Sequence, residues 1–249
     1  MSSTREVADL VMRGRILSLQ NETKIMGVLN VTPDSFSDGG QFMDLAKAEE
    51  QALKMEAEGA HILDRPGSKP ISWKEELKRV LPVLKRLKHQ IKIPISLDTY
   101  KVEVAKAALD HGADIINDIY GLRTDKKLAK CIAKRGGGVI LMHMQGNPET
   151  MQKKPLYKDL AKEIKEFLKK SAQIAQQAGI ERSHIAIDPG FGFGKTEDQN
   201  FELLSRLDEF VAMGYPLVVG LSRKSFLGNH LGVPATERLS ASLAAAAVA

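Results

Sequence analysis

Seven times along the chain a short apolar run ends in a polar residue and gives way to a stretch of helical period, and no other feature restricts the fold so strongly. The runs are IMGVLNV, HILD, IPISLDT, DIINDI, GVILMHM, HIAIDPG and YPLVVGLS. The stretches between them predict helices over 44–59, 73–90, 101–111, 125–135, 156–178 and 198–213, with a further one beginning near Ala235. In the third, Val102, Ala105, Ala108 and Leu109 form one apolar stripe. Near-continuous apolar strands separated by helices describe a parallel sheet covered on its outer face, and the number of repeats favours a (β/α)8 barrel over an open doubly wound sheet. A hairpin, RILSL followed by the turn NETK, is expected ahead of the first unit. No G-x-G-x-x-G follows the first strand, and FGFGK lacks the rest of a P-loop, which weakens both nucleotide-fold readings.

A chain of 249 residues, 43% apolar and 27% charged, can bury one large core, so residues 1–249 are read as a single barrel domain. The longest apolar stretch, SLAAAAVA, is too short to span a membrane, and MSSTREVADL lacks the apolar centre of a signal peptide. A cytoplasmic protein follows. The single cysteine, Cys131, lies in a helical pattern and reads as a buried structural thiol. The net charge of +5 is spread over helices that mix lysines with acids, so a small anionic substrate is a better expectation than nucleic acid.

Almost every predicted strand delivers a hydrogen-bonding side chain at its C-terminal end, where barrels of this kind build active sites. These are Asn30, Asp64, Asp98, Asn117, His143, Asp188 and Ser222 with Arg223 and Lys224. One such residue is explained by helix capping, but a converging set is not. His143 is the weakest member, lacking an H-x-x-H or H-E-x-x-H partner for zinc. The first strand runs into MGVLNVTPDSFSDGG, where Asn30 offers an amide oxygen and Asp34 a carboxylate. Both suit a hard divalent cation that keeps most of its waters and shares phosphate oxygens with a substrate.

The same string closely resembles the first signature of the dihydropteroate synthase family. ISLDTY, IINDI, LMHMQG, IDPGFGFGK and VGLSRKSFLG resemble its later motifs, in order and over nearly the whole chain. The resemblance implies condensation of a dihydropterin pyrophosphate with p-aminobenzoate on the folate pathway, magnesium as cofactor, a homodimer, and an enzyme of the class that sulfonamides target. It implies that Asp98, Asn117, Met142, Asp188 and Lys224 hold the pterin, and that Asn30 binds magnesium beside the pyrophosphate, with Asp34 on the same catalytic loop. Phe36, Arg65, Pro66, Phe193, Lys224 and Ser225 resemble the enclosure of p-aminobenzoate. The chemistry is consistent, since a carboxylate matches the paired N–H donors of a pterin edge while an amide and an ammonium read its remaining atoms. The resemblance further implies that pyrophosphate leaves before the amine attacks, giving a cation that Asp98 stabilises.

Two departures stand out. About six residues of the family pattern, Gly-rich and carrying a substrate-binding threonine, have no counterpart between Asp64 and Arg65, and the sequence closes on SASLAAAAVA without the family's Arg-x-His strand. Seven strands do not close a barrel. Either the protein is a shortened relative or these residues belong to a longer chain. A pterin-dependent methyltransferase shares the barrel and the pterin carboxylates but has no need of a pyrophosphate loop or of SRKS, and a non-catalytic pterin-binding barrel is the remaining alternative.

Overall fold

The computed structural model describes residues 8–30, 41–66, 71–147, 150–151 and 155–249. Six parallel strands follow one another in chain order: β3 (Met26–Val28), β4 (Ile62–Arg65), β5 (Ile95–Asp98), β6 (Ile115–Asp118), β7 (Gly138–Met142) and β8 (Ile185–Asp188). Each pairs with its predecessor, as right-handed βα units dictate. Between and beyond them run α1 (Gln41–Ala57), α2 (Trp73–Leu87), α3 (Val102–Asp110), α4 (Lys126–Ala133), α5 (Leu160–Gln177), α6 (Glu197–Ser205), α7 (Leu207–Val211), α8 (Ser225–Leu231) and α9 (Leu239–Val248). The expected α/β barrel architecture is present. The seventh apolar run adds only an isolated parallel bridge, Leu217 to Ile187, so among the described residues the barrel wall is left open beyond β8.

Local chemistry explains where the helices start. Ser72 and Glu75 form a reciprocal capping box on α2, Thr196 and Gln199 another on α6, and the Asp159 carboxylate accepts from Lys162 at α5. Several local expectations are corrected. The hairpin pairs β1 (Leu10–Met12) with β2 (Arg15–Leu17) and turns at Arg13 and Gly14, both at positive φ, rather than at NETK. The helix expected over 198–213 breaks at Arg206, whose backbone (φ −117°, ψ 22°) is not helical. Helix α8 was not expected at all. Cys131 is half-buried rather than buried, and its thiol is pushed up by burial.

Strand residues two apart share a face. Ile62, Ile115, Ile140 and Ala186 therefore point inward together and pack with Leu10 and Met12 of the hairpin, which stoppers the N-terminal end of the barrel. The alternate residues, among them Leu63, Leu97, Ile116, Val139 and Leu141, pack outward against α2, α3 and α4. No helix among the described residues is long and apolar enough to cross a membrane.

Candidate active site

One pleat above the apolar floor the inward positions become polar. Two residues beyond Ile62, Ile115, Ile140 and Ala186 stand Asp64, Asn117, Met142 and Asp188, and β5 adds Ser96 and Asp98. The register sets them side by side: Asp64 opposite Ser96, Asp98 opposite Asn117, Met142 opposite Asp188. Four of the expected strand-end residues, Asp64, Asp98, Asn117 and Asp188, thus share one mouth with Met142.

Lys224, the N-cap position of α8, reaches the same place from the other side of the opening. Its Nζ lies 4.5 Å from the centre of the half-buried Phe193 ring, a cation–π contact, and its charge faces Asp188. Burial lowers the Lys224 ammonium, while Asp188 pulls it back up. Burial raises the Asp188 carboxyl, which is steadied by the Gly190 N–H donating to Oδ1 at 2.7 Å and by the charges of Lys224 and Lys195. Asp64 is likewise raised by burial, against the Ser96 hydroxyl and the Asn117 amide. Among the described residues the buried Asn117 Oδ1 makes no hydrogen bond, so a ligand bringing a donor into the mouth would satisfy a group the protein leaves unpaired.

The remaining expected residues are placed less tightly. Asn30 is exposed just past β3, where the Leu29 N–H donates to the Asp64 carbonyl at 2.8 Å. Asp34 and Phe36 lie outside the described residues. Ser225 opens α8 and is exposed, and Pro66 is half-buried. Arg65 extends β4 by one residue and pairs in register with Leu97. By strand alternation it sits on the helix-facing side, 3% exposed, and its charge meets Glu76 of α2 first and then Asp98. Burial pushes its guanidinium down to about 10. With nothing between it and Asp64 in sequence, Arg65 is held by the strand.

Lys195 was missed because FGFGK reads only as a failed P-loop. It is 2% exposed, and its Nζ meets the Gly190 carbonyl at 2.8 Å, the Phe193 carbonyl at 3.1 Å and His143 Nδ1 at 3.1 Å. Burial with the Lys195 and Arg123 charges pushes His143 down to about 2, so its ring is a neutral acceptor. His143 is thus a structural partner of this lysine. Its other ring contacts are Phe167, edge-on at 4.9 Å, and Tyr157. Burial pushes Lys195 down to about 7, despite Asp188 and with Lys224 adding to the fall. A depressed lysine means that the unfolded chain binds the extra proton above that pH, so stability should rise from about pH 7 toward pH 9, with a slope approaching ~1.4 kcal/mol per unit. Urea unfolding across that range should show a shallower rise in Lys195→Met. Equal slopes in the two proteins would mean that Lys195 does not titrate there.

The model of the pterin binding enzyme family matches residues 26–249. The dihydropteroate synthase of Escherichia coli strain K12 is 45% identical over 246 residues, which is 96% of this chain and 86% of that protein. The crystal structure of the Xanthomonas albilineans dihydropteroate synthase with 7,8-dihydropteroate superposes with a TM-score of 0.86 at 39% identity, covering 96% of this chain and 88% of that one. The same enzyme with 4-aminobenzoic acid gives 0.87 at 38% identity, over 97% and 88%.

Proposed function

The chain belongs to the dihydropteroate synthases of the pterin binding enzyme family, and on that premise we propose how its own residues carry the reaction. The activity is condensation of 6-hydroxymethyl-7,8-dihydropterin pyrophosphate with p-aminobenzoate, giving 7,8-dihydropteroate and pyrophosphate in folate biosynthesis. One observation supports the assignment of residues above the others: Asp188, Lys224 and Phe193 meet at the mouth that also holds the unpaired Asn117 oxygen. Asp188 accepts from the paired N–H donors of the pterin, Asn117 from an adjacent donor, and Lys224 donates to the ring carbonyl. Met142 lines the flat slot. Phe193, the stem of Lys224 and Ser225 form the p-aminobenzoate wall, completed by Pro66 and Phe36. Arg65 acts from behind, its charge facing Asp98.

In the reaction the carbon–oxygen bond breaks with its electrons going to pyrophosphate, the amine forms the new carbon–nitrogen bond, and one amine proton is released. The aromatic amine is neutral and nucleophilic, so no general base is required. Departure of pyrophosphate is the demanding step, and Asp98 stabilises the positive charge that develops on the pterin methylene. Among the described residues no three His, Cys, Asp or Glu side chains gather into a metal cage. The exposed Asn30 amide oxygen, just past β3, fits a single donor to magnesium held mainly by water and phosphate, with Asp34 following it in sequence. Magnesium, when bound, supplies charge neutralisation of the leaving group. The cytoplasm is the proposed location.

Pyrophosphate release from the two substrates with magnesium tests the activity, and absence of release would overturn it. Asp98→Asn should lower kcat by more than it weakens pterin binding, because charge stabilisation is exercised mainly as the bond breaks. Equal losses in stopped-turnover rate and in calorimetric affinity would remove Asp98 from that role.

A further inference from the structure

Arg223 is one of few non-glycine residues at positive φ (50°), and it directly precedes Lys224. An L-residue stays in that conformation only when its surroundings hold it there. Both of its backbone groups are held by side chains from one distant segment. The Arg223 N–H donates to Ser242 Oγ at 2.8 Å, and Arg238 Nη1 donates to the Arg223 carbonyl at 3.2 Å. Ser242 Oγ in turn donates to the Arg238 carbonyl at 2.6 Å, which closes the bracket. The Arg238 guanidinium reaches Arg223 by passing across α8 at Gly228, where an added Cβ would fall 1.9 Å from Arg238 Nε. Buried Ser242 and the missing side chain at Gly228 thus serve one arrangement.

We propose that Ser242 and Arg238 are positioning residues, which clamp Arg223 in the left-handed conformation and so aim Lys224 into the mouth beside Asp188. The inference rests on the substrate-reading role given to Lys224 above. Without the clamp Arg223 relaxes toward negative φ, the chain direction into Lys224 changes, and the ammonium leaves Phe193 and Asp188 for part of the time. Lys224 would then be less often competent to receive the pterin, and a fractional population of the competent state appears as a raised KM.

The test compares Ser242→Ala in the parent protein and in an Arg223→Gly background, since glycine adopts positive φ without a clamp. In the parent, Ser242→Ala should raise KM for the dihydropterin pyrophosphate about tenfold with little change in kcat. In the Arg223→Gly background the same change should alter KM less than about twofold relative to Arg223→Gly alone. Gly228→Ala, which displaces the Arg238 guanidinium, should follow the same pattern, and Ser242→Thr, which keeps the hydroxyl, should retain the parent KM. Equal KM losses in both backgrounds, or none in the parent, would overturn the proposal. A null result for Lys224→Ala would instead overturn the reading of the site. In that event the clamp is judged by thermal unfolding alone, where Ser242→Ala must lower Tm less in the Arg223→Gly background, and an equal loss refutes it.

Discussion

Gly190→Ala should destabilise the protein by about 3 kcal/mol or more, combining the strain of an L-residue at positive φ with a backbone collision. Gly190 has φ +75°, and a Cβ there would stand 2.0 Å from the His143 carbonyl oxygen, an atom that cannot swing aside. The loop after β8 lies directly on the end of β7, as Gly194 repeats lower down with a Cβ position 2.6 Å from the Gln145 carbonyl. Relief requires the loop to lift, and lifting it removes the Gly190 N–H from Asp188 and the Gly190 carbonyl from Lys195. Gly14→Ala is the matched control, having φ +77° with nothing within 4 Å, and should cost only about 1 kcal/mol. The check is the urea midpoint of each variant at unchanged m. Similar losses for the two would show that the collision is relieved cheaply.

Asp188→Ala should weaken binding of the pterin substrate by about 2–3 kcal/mol, a factor of roughly 30 to 150. The ligand donors would lose a charged acceptor in a dry site, and the Lys224 and Lys195 ammoniums would lose the anion that supports both. Asp188→Asn keeps an oxygen for the Gly190 N–H while giving up the charge, so its loss should fall between alanine and parent. Unliganded stability should fall far less than affinity, because burial already opposes the charged form of Asp188. Calorimetry with the pterin pyrophosphate, beside a urea titration of the unliganded protein, separates the two quantities. Unchanged affinity in the alanine variant would exclude Asp188 from the site.

The placement of Asp98, Asn117 and Asp188 was legible because a strand has period two, so an apolar run ending in a polar residue fixes which side faces the mouth; Met142, itself apolar, came only from the resemblance of LMHMQG. Lys224 was legible as a cation at the end of the seventh apolar run, whereas Phe193 was legible only through its motif, since no periodicity runs through the loop that carries it. The seventh run, YPLVVGLS, has the composition of a strand, yet pairing is decided by neighbours, and Leu217 has one neighbour in β8. Helix α8 was hidden because SFLGNHL is only 7 residues long, with a glycine in its middle that weakens any helical expectation. The turn of the hairpin was misread because NETK is richer in turn-forming residues than Arg13–Gly14. Lys195, Arg238 and Ser242 carry no local signature. Each acts on backbone atoms brought near by the tertiary fold, and sequence spacing does not encode such approaches.

The strict chain-order pairing from β3 to β8 has a consequence for biosynthesis. Since every strand docks on one already made, the sheet can lengthen unit by unit as translation proceeds, with no early strand waiting for a distant partner. Asp98 and Asn117 are then in place while the ribosome has yet to deliver Asp188 and Lys224. On the proposed assignment, half of the pterin cradle would stand for several seconds, at translation rates of about 5–20 residues per second, before the rest of it is made.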